Sequence, residues 1–343
     1  MRISTKNKAV IALLSLLHLL CDLICGYKVI GVLAIDFYDF GLYIFIIYNT
    51  LAFCFQPLAG IFVDRHHKEK ALLVVSFVLL ALGFFVNPWL LSAALLGIGN
   101  QIFHIAGGKI CTNISREKSS HLGVFVSLGA IGLAIGGNLY QYRFIPYLAL
   151  GLYLVFTGIC FFLAEESSQE EIQEEKRQLP KREFIFSVLL LLLAVFIRSF
   201  LGKIIHYDFH VDLSLLLLLP AASAFGKFMG GFIRDKLGSF PTVLISMALA
   251  SIILISFDHS PILMMAGLLM INISMPITLF ELNRLLPGKE GFNFGILAGI
   301  LFPGVVIGMF YQYSRFTYII AVLVSSALAI LSMYYIKRRA LHG

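Results

Sequence analysis

The sequence predicts an all-α membrane protein: twelve transmembrane helices in two pseudosymmetric six-helix bundles. Three observations predict it. Apolar residues make up 59% of the 343 and charged ones 13%, against roughly half and a quarter in soluble proteins. No aqueous core could hide that much apolar surface, so the lipid bilayer must be the solvent for most of it. The chain also repeats itself. Gly60-Ile61-Phe62-Val63-Asp64-Arg65 returns 171 positions later as Gly231-Phe232-Ile233-Arg234-Asp235-Lys236. Tyr140-Gln141-Tyr142-Arg143-Phe144 returns at the same offset as Tyr311-Gln312-Tyr313-Ser314-Arg315-Phe316. An offset of half the length marks two homologous halves. Finally, the basic residues fall in alternate loops, as the charge asymmetry of membrane proteins requires.

A helix needs about 20 apolar residues to cross the hydrocarbon. Such stretches run near 9–34, 41–63, 70–87, 89–110, 120–139, 144–164, 184–205, 212–233, 239–257, 260–283, 291–311 and 316–336, here called spans 1 to 12. The basic segment Met1 to Lys8 resembles the start of a signal peptide. The apolar stretch after it carries His18 and Asp22, runs too long and lacks a small-x-small cleavage site, so it reads as a retained first helix. Most connections are a handful of residues and leave no room for a soluble domain. The exception is 165–183, where Glu165, Glu166, Glu170, Glu171, Glu174 and Glu175 precede Lys176, Arg177, Lys181 and Arg182. It divides the chain into an N-terminal bundle (1–164), a cytoplasmic linker (165–183) and a C-terminal bundle (184–343).

The termini, the linker and the even-numbered loops, with Lys109 counted among them, hold 20 of the 26 Lys and Arg residues. The opposite loops hold chiefly Arg143 and Arg315, with the acids Asp36, Asp39, Asp208 and Asp258. Both termini are therefore expected on the cytoplasmic side of the cell membrane. The net charge of +7 reads as topology and not as a nucleic-acid surface. Five cysteines, Cys21, Cys25, Cys54, Cys111 and Cys160, all but Cys111 within apolar stretches, indicate neither a disulfide framework nor a zinc site. Internal symmetry of this kind marks membrane transporters more than any other class.

Gly-x-x-x-Asp-Arg/Lys after spans 2 and 8 resembles the signature loop of the major facilitator superfamily, and the two-half layout covers the whole chain. The first copy has His67 where that family usually has glycine; the second keeps Gly238 and lacks the basic residues beyond it. The resemblance makes Gly60, Asp64, Arg65, Gly231, Asp235 and Lys236 candidates for a cytoplasmic gate, against a reading as ordinary interfacial charge. Within the superfamily, His18-x-x-x-Asp22 in span 1 and Phe103-His104 ahead of Gly107-Gly108 in span 4 look like the fosmidomycin-resistance type of exporter, with Ile105 where a proline is usual. Gly132-Leu133-Ala134-Ile135-Gly136-Gly137 resembles the exporter motif Gly-Pro-x-x-Gly-Gly with Leu133 in place of the proline, or it is a helix-packing stripe.

Ionisable groups inside spans cost several kcal/mol unless paired or solvated, so each is a candidate site. His18 and Asp22, four residues apart, share one helix face. Asp22 lies about 20 Å from Lys8 along the helix. A carboxyl there, with His18 beside it, is the candidate proton-coupling group, against a buried ion pair that only locks helices. His104 in span 4 is a further proton-coupling candidate as a relay, against a satisfied structural histidine. Aligning Gly26 with Gly202 sets Asp22 opposite Arg198, so the two are expected to meet across a central cavity; Arg198 could alternatively bind an anionic substrate or snorkel. Tyr48, Asn49, Gln56 and Lys227 are further candidates for the cavity lining, Asn49, Phe53, Gln56 and Gly60 forming one face. Glu281 and Arg284 read as a local surface pair. No Walker loop, nucleophile elbow or HExxH run is present, which leaves an ATP-driven pump or a membrane protease without support.

The expectation is thus a monomeric secondary transporter, not an enzyme, using no cofactor and no metal. It would move a small organic molecule by alternating access in exchange for protons, with export implied by the fosmidomycin-type pattern. Two alternatives stand beside it: uptake of a metabolite with protons, and a transport-inactive relative that serves as a sensor or assembly partner.

Overall fold

The computed structural model describes residues 4–166, 181–205, 209–257 and 259–340. Most of the 165–183 linker, Arg2, Asp208 and Asp258 lie outside the described residues. The described residues form twelve long helices and no strand. They are α1 (Thr5–Asp36), α2 (Tyr38–His66), α3 (Glu69–Phe85), α4 (Trp89–Ile114), α5 (Ser119–Asn138), α6 (Phe144–Leu163), α7 (Lys181–Ile204), α8 (Leu213–Leu237), α9 (Ser239–Ser256), α10 (Pro261–Leu285), α11 (Glu290–Phe310) and α12 (Arg315–Ala340). Eleven are long and apolar enough to cross a membrane; α3, with 17 residues, is the shortest. No helix end departs from the predicted spans by more than four residues.

Local chemistry sets the ends. Ser4 caps α1 by accepting from the Asn7 amide at 3.1 Å, and Asp212 caps α8 by accepting from Leu215 at 2.9 Å. His67 stops α2 in the left-handed region, φ 49°. Two helices leave the α pitch: α1 is π-helical over Gly26–Leu33, and α2 over Thr50–Cys54. The extra residue per turn rotates the rest of the helix, so a face drawn through α2 at constant spacing does not stay on one side.

Lipid removes the hydrophobic drive between helices, and close packing of small residues replaces it. In α5, Gly132 and Gly136 lie against the Leu19 and Leu23 carbonyls of α1; Gly226 and Gly230 of α8 lie likewise on Leu269 and Ile273 of α10. The Gly132–Gly137 run is therefore a packing seam. The buried face of α1 carries Leu14, Leu17, Cys21 and Ile24, all fully enclosed, whereas Phe162 of α6 is 82% exposed and Ile262 of α10 is 73% exposed. Such side chains belong to a lipid-facing belt. Cys111 is buried too, because α4 runs to Ile114.

The halves meet chiefly through two pairs of helices, α2 with α11 and α5 with α8, with α4 against α11 and α5 against α10 beside them. Both chief contacts need glycine: a Cβ on Gly60 would come within 2.6 Å of the Phe292 nitrogen, and one on Gly231 within 2.6 Å of Ser120 Cα. Both lie near the face of the molecule that bears the termini.

Candidate functional site: a bis-histidine carboxylate beside a cationic cavity

The candidate site is built from two helical i, i+4 pairs. On α1, His18 Nε2 lies 3.3 Å from Asp22 Oδ2. On α4, Asn100 donates from Nδ2 to Asp22 Oδ1 at 3.0 Å, and His104 Nε2 lies 3.9 Å from the same oxygen. The two Nε2 atoms are 2.9 Å apart. Both Nδ1 atoms face backbone carbonyls, His18 that of Phe125 and His104 that of Asn100, each at 2.9 Å. The Phe125 carbonyl sits just before the interruption of α5 at Leu128. At Gly129, immediately beyond, there is room for the cluster only because no Cβ is present: one would stand 2.5 Å from Asp22 Oδ2.

Aromatic rings enclose the pair. Phe103 and Phe125 lie against His18, with centroids 5.9 and 5.1 Å away. Phe294 of α11, from the other half, lies against His104 at 6.3 Å. The structure joins His104 of α4 to the His18–Asp22 pair of α1, a meeting not read from the sequence, and Asn100 and Gly129 complete the cluster. Asn100 was legible: it stands four residues before His104, as His18 stands four before Asp22. Gly129 carried no signal of its own.

A cavity of about 690 Å³ opens between the halves, lined from α5, α7, α8, α10 and α11 with Ile30 of α1. It runs from Arg198 and Lys227 at mid-depth to Asn138 and Lys203 at the face opposite the termini. Its charged lining residues are Arg198, Lys203 and Lys227, with no carboxylate among them; the polar remainder includes Asn138, Ser199, Ser223 and Asn272. Lys227 makes no hydrogen bond or ion pair among the described residues.

Several expectations are corrected. Arg198 does not meet Asp22: its Nη1 donates to Ser274 Oγ at 2.7 Å, within its own half. Tyr48, Asn49 and Gln56 do not line the cavity. Asn49 and Gln56 turn back on their own helix, donating to Phe45 and Ala52 carbonyls at 2.8 and 2.7 Å. The π-helical stretch and the close approach of α11 explain why, since Gly295 and Gly299 press on the Gln56 and Phe53 carbonyls. Glu281 is no surface residue; it is 2% exposed and meets Arg234, Arg284 and Ser239. Lys109, counted among the loop cations, is 1% exposed. Its Nζ lies 3.3 Å from Asp64, 3.0 Å from Glu69 and 3.0 Å from the Val63 carbonyl.

At the terminus-bearing face the duplicated acids do matching work. Asp64 of α2 accepts from the Gly291 and Phe292 amides, both at 2.9 Å. Asp235 of α8 accepts from the Ser119 and Ser120 amides at 2.8 and 3.1 Å. Each carboxylate caps a helix of the opposite half, α11 and α5, that has no side-chain cap of its own. Arg65 and Lys236 are exposed and make no ion pair among the described residues. In the second half Arg234 is the embedded cation, 3.6 Å from the Phe280 ring centre.

Comparison with known proteins agrees with this architecture. Over 338 aligned residues the chain is 23% identical to the Fosmidomycin resistance protein of Escherichia coli (strain K12), covering 85% of this chain and 82% of that one. It superposes on the crystal structure of a variant of the E. coli fucose:proton symporter FucP with a TM-score of 0.69 at 14% identity, covering 96% and 98% of the two chains. FucP in the outward conformation gives 0.73 at 13% identity, with the same coverage. Residues 13–286 match the sequence profile of the Major Facilitator Superfamily. An all-helical, two-fold repeated chain with that match is a member of the major facilitator superfamily, a family of transporters and not of enzymes.

Proposed function

We propose that the chain is a proton-coupled secondary transporter of a small organic anion, working as a monomer by alternating access, and that it exports its substrate. The observation that carries the proposal is the pairing of a buried His18–Asp22–His104 cluster with a cavity whose charged lining is wholly cationic. Arg198 and Lys227 hold the anion at mid-depth; a guanidinium and an ammonium there suit a carboxylate or phosphonate. The cluster holds the coupling proton. Asp64 and Asp235, capping helices of the opposite half, close the terminus-bearing face and part when the bundles rock. Gly60 and Gly231 let the helices approach closely enough for this, while Arg65 and Lys236 set the charge of the cytoplasmic rim. The bundles that rock are 1–164 and 184–343, joined by the linker, with both termini in the cytoplasm.

Export follows from the likeness to the Fosmidomycin resistance protein. Uptake with protons is the second reading, and one observation favours it. A proton added to the cluster raises the positive charge facing Lys227 and Arg198, so proton and anion reinforce each other's binding instead of displacing it. Membrane vesicles of both orientations, loaded with fosmidomycin as the probe and given an imposed pH gradient, separate the readings. Outward flux against inward proton movement is the expected result. Co-directional movement supports uptake, and flux independent of the gradient overturns proton coupling. In the same assay Arg198→Ala and Lys227→Ala should each raise the half-saturating probe concentration about tenfold or more, the loss of one charge-assisted contact.

A further inference from the structure

The cluster raises a question that the transport reading leaves open: which atom carries the proton. Both Nδ1 atoms face carbonyl oxygens at 2.9 Å. A carbonyl only accepts, so both Nδ1 atoms carry hydrogen. A neutral imidazole in that tautomer has its lone pair on Nε2. Yet the two Nε2 atoms face each other at 2.9 Å, the length of an N–H···N hydrogen bond and not of two opposed lone pairs. The geometry needs one positive species between them.

We propose that His18 and His104 share one proton between their Nε2 atoms, and that Asp22 stays a carboxylate throughout, positioning the pair and balancing its charge. This rests on the proton-coupling reading above and moves the seat of the proton from the carboxyl to the imidazoles. The charges close: one imidazolium and one carboxylate make a neutral unit, which avoids the cost of an unpaired ion at this depth. Asp22 is already committed, taking the Asn100 amide on Oδ1 and facing His18 with Oδ2.

The groups around the pair agree. From α1, the Cys21 and Cys25 thiols lie beside Asn100 at 3.6 and 3.7 Å. From α2 comes the Tyr48 hydroxyl, beside Cys25, and the wall of the neighbouring cavity carries Lys227 of α8 and Arg198 of α7. The donor atoms of His18, Asp22 and His104 lie within 4.8 Å of one another, close enough for a divalent metal. With Lys227 on the wall of the neighbouring cavity and one Asp22 oxygen held by Asn100, the site suits a single positive charge better than two. When the proton leaves, two lone pairs and a carboxylate are left face to face. His104 must then turn, and the Phe294 ring against it carries that movement to the other half.

The test is nitrogen NMR of the full chain, labelled with 15N-histidine, bearing a tag without histidine and held in lipid nanodiscs near pH 7. His18→Gln and His104→Gln assign the two rings. In the wild type both Nδ1 atoms should be protonated, with one proton divided between the two Nε2 atoms. Either glutamine variant should lose that shared signal and leave the remaining ring neutral. Carboxyl infrared bands compared with those of Asp22→Asn should show Asp22 ionised. Two neutral rings with bare Nε2 atoms, a protonated Asp22 carboxyl, or a metal ion retained by the purified protein would each overturn the assignment. The outcome is separable from the transport reading. A shared proton with no proton-driven flux sinks only the transport reading, whereas coupled flux without a shared proton sinks only this placement.

Discussion

Single atoms decide most at this site, and Gly129 shows it. A methyl group there meets His18 and Asp22 where space has been left for nothing larger than hydrogen. Overpacking of this kind costs about 1–3 kcal/mol, so Gly129→Ala should lower the thermal midpoint in detergent and separate the two imidazoles. Gly151→Ala is the control: no atom lies within 4 Å of that position's Cβ, and its midpoint should be unchanged or slightly higher. Lys109 is the second such residue. It sits between Asp64 and Glu69, itself fully buried, so Lys109→Met takes from two carboxylates the cation they share. Breaking a buried pair by removing one partner costs about 3–5 kcal/mol, and the expected result is poor recovery of folded protein in size-exclusion chromatography. Residue by residue, the sequence showed what lies within one helix and hid what lies between helices. His18 with Asp22 was legible from a spacing of four. The partner of Arg198 was not, because Ser274 comes from α10, 76 positions away, and alignment of Gly26 with Gly202 says nothing of how a long side chain turns.

The helices themselves were the legible part, since the bilayer dictates their length and the loops between them are short. The departures have causes in side-chain contacts that hydropathy does not register. α4 outruns its span because Lys109 and Cys111 are buried, and α8 because its last turn carries Arg234 and Asp235 into contacts. The helix breaks in α1 and α2 left no mark in composition. Near the far end of the first half, Lys6 of α1 donates to Glu165 just past α6. That contact holds the Glu165 carboxyl below its usual range. A carboxylate lowered by folding contributes fully above its ordinary unfolded value, and the contribution fades as pH falls through the lowered one. The pair is exposed, so Glu165→Gln should move the thermal midpoint little at neutral pH, by less than about 1 kcal/mol. What difference there is should vanish in strongly acid buffer, and a difference that grows on acidification would contradict the pairing.

At the scale of the whole molecule, the duplication seen in the sequence becomes a pair of carboxylate caps between the halves, the locks of the proposed mechanism, related by the same offset. Asp64 and Asp235 stand 171 positions apart, and the helix ends they cap, at Gly291–Phe292 and Ser119–Ser120, stand almost the same distance apart. Each of these contacts joins the two halves, and both lie near the same face. The surrounding charges are not duplicated. Lys109 of α4 braces Asp64, while in the second half the α10 residue is an acid, Glu281, and the cation is Arg234 of α8. Asp64 is thus tied to a buried cation and Asp235 chiefly to backbone and serine donors, which makes the second lock the easier to open. Each hydrogen bond to a charged group is worth about 1.5–3 kcal/mol. Asp235→Asn should therefore shift the population towards states open at the terminus-bearing face, and Asp64→Asn/Asp235→Asn should shift it further, since the locks act in parallel on one separation. Spin labels replacing the exposed Arg65 of α2 and Lys289 at the start of α11 read this directly. Their distance distribution by double electron–electron resonance should gain a longer component in the single variant and be dominated by it in the double. A distribution unchanged in the double variant would mean that the helix caps only decorate a closure made by the glycine contacts alone.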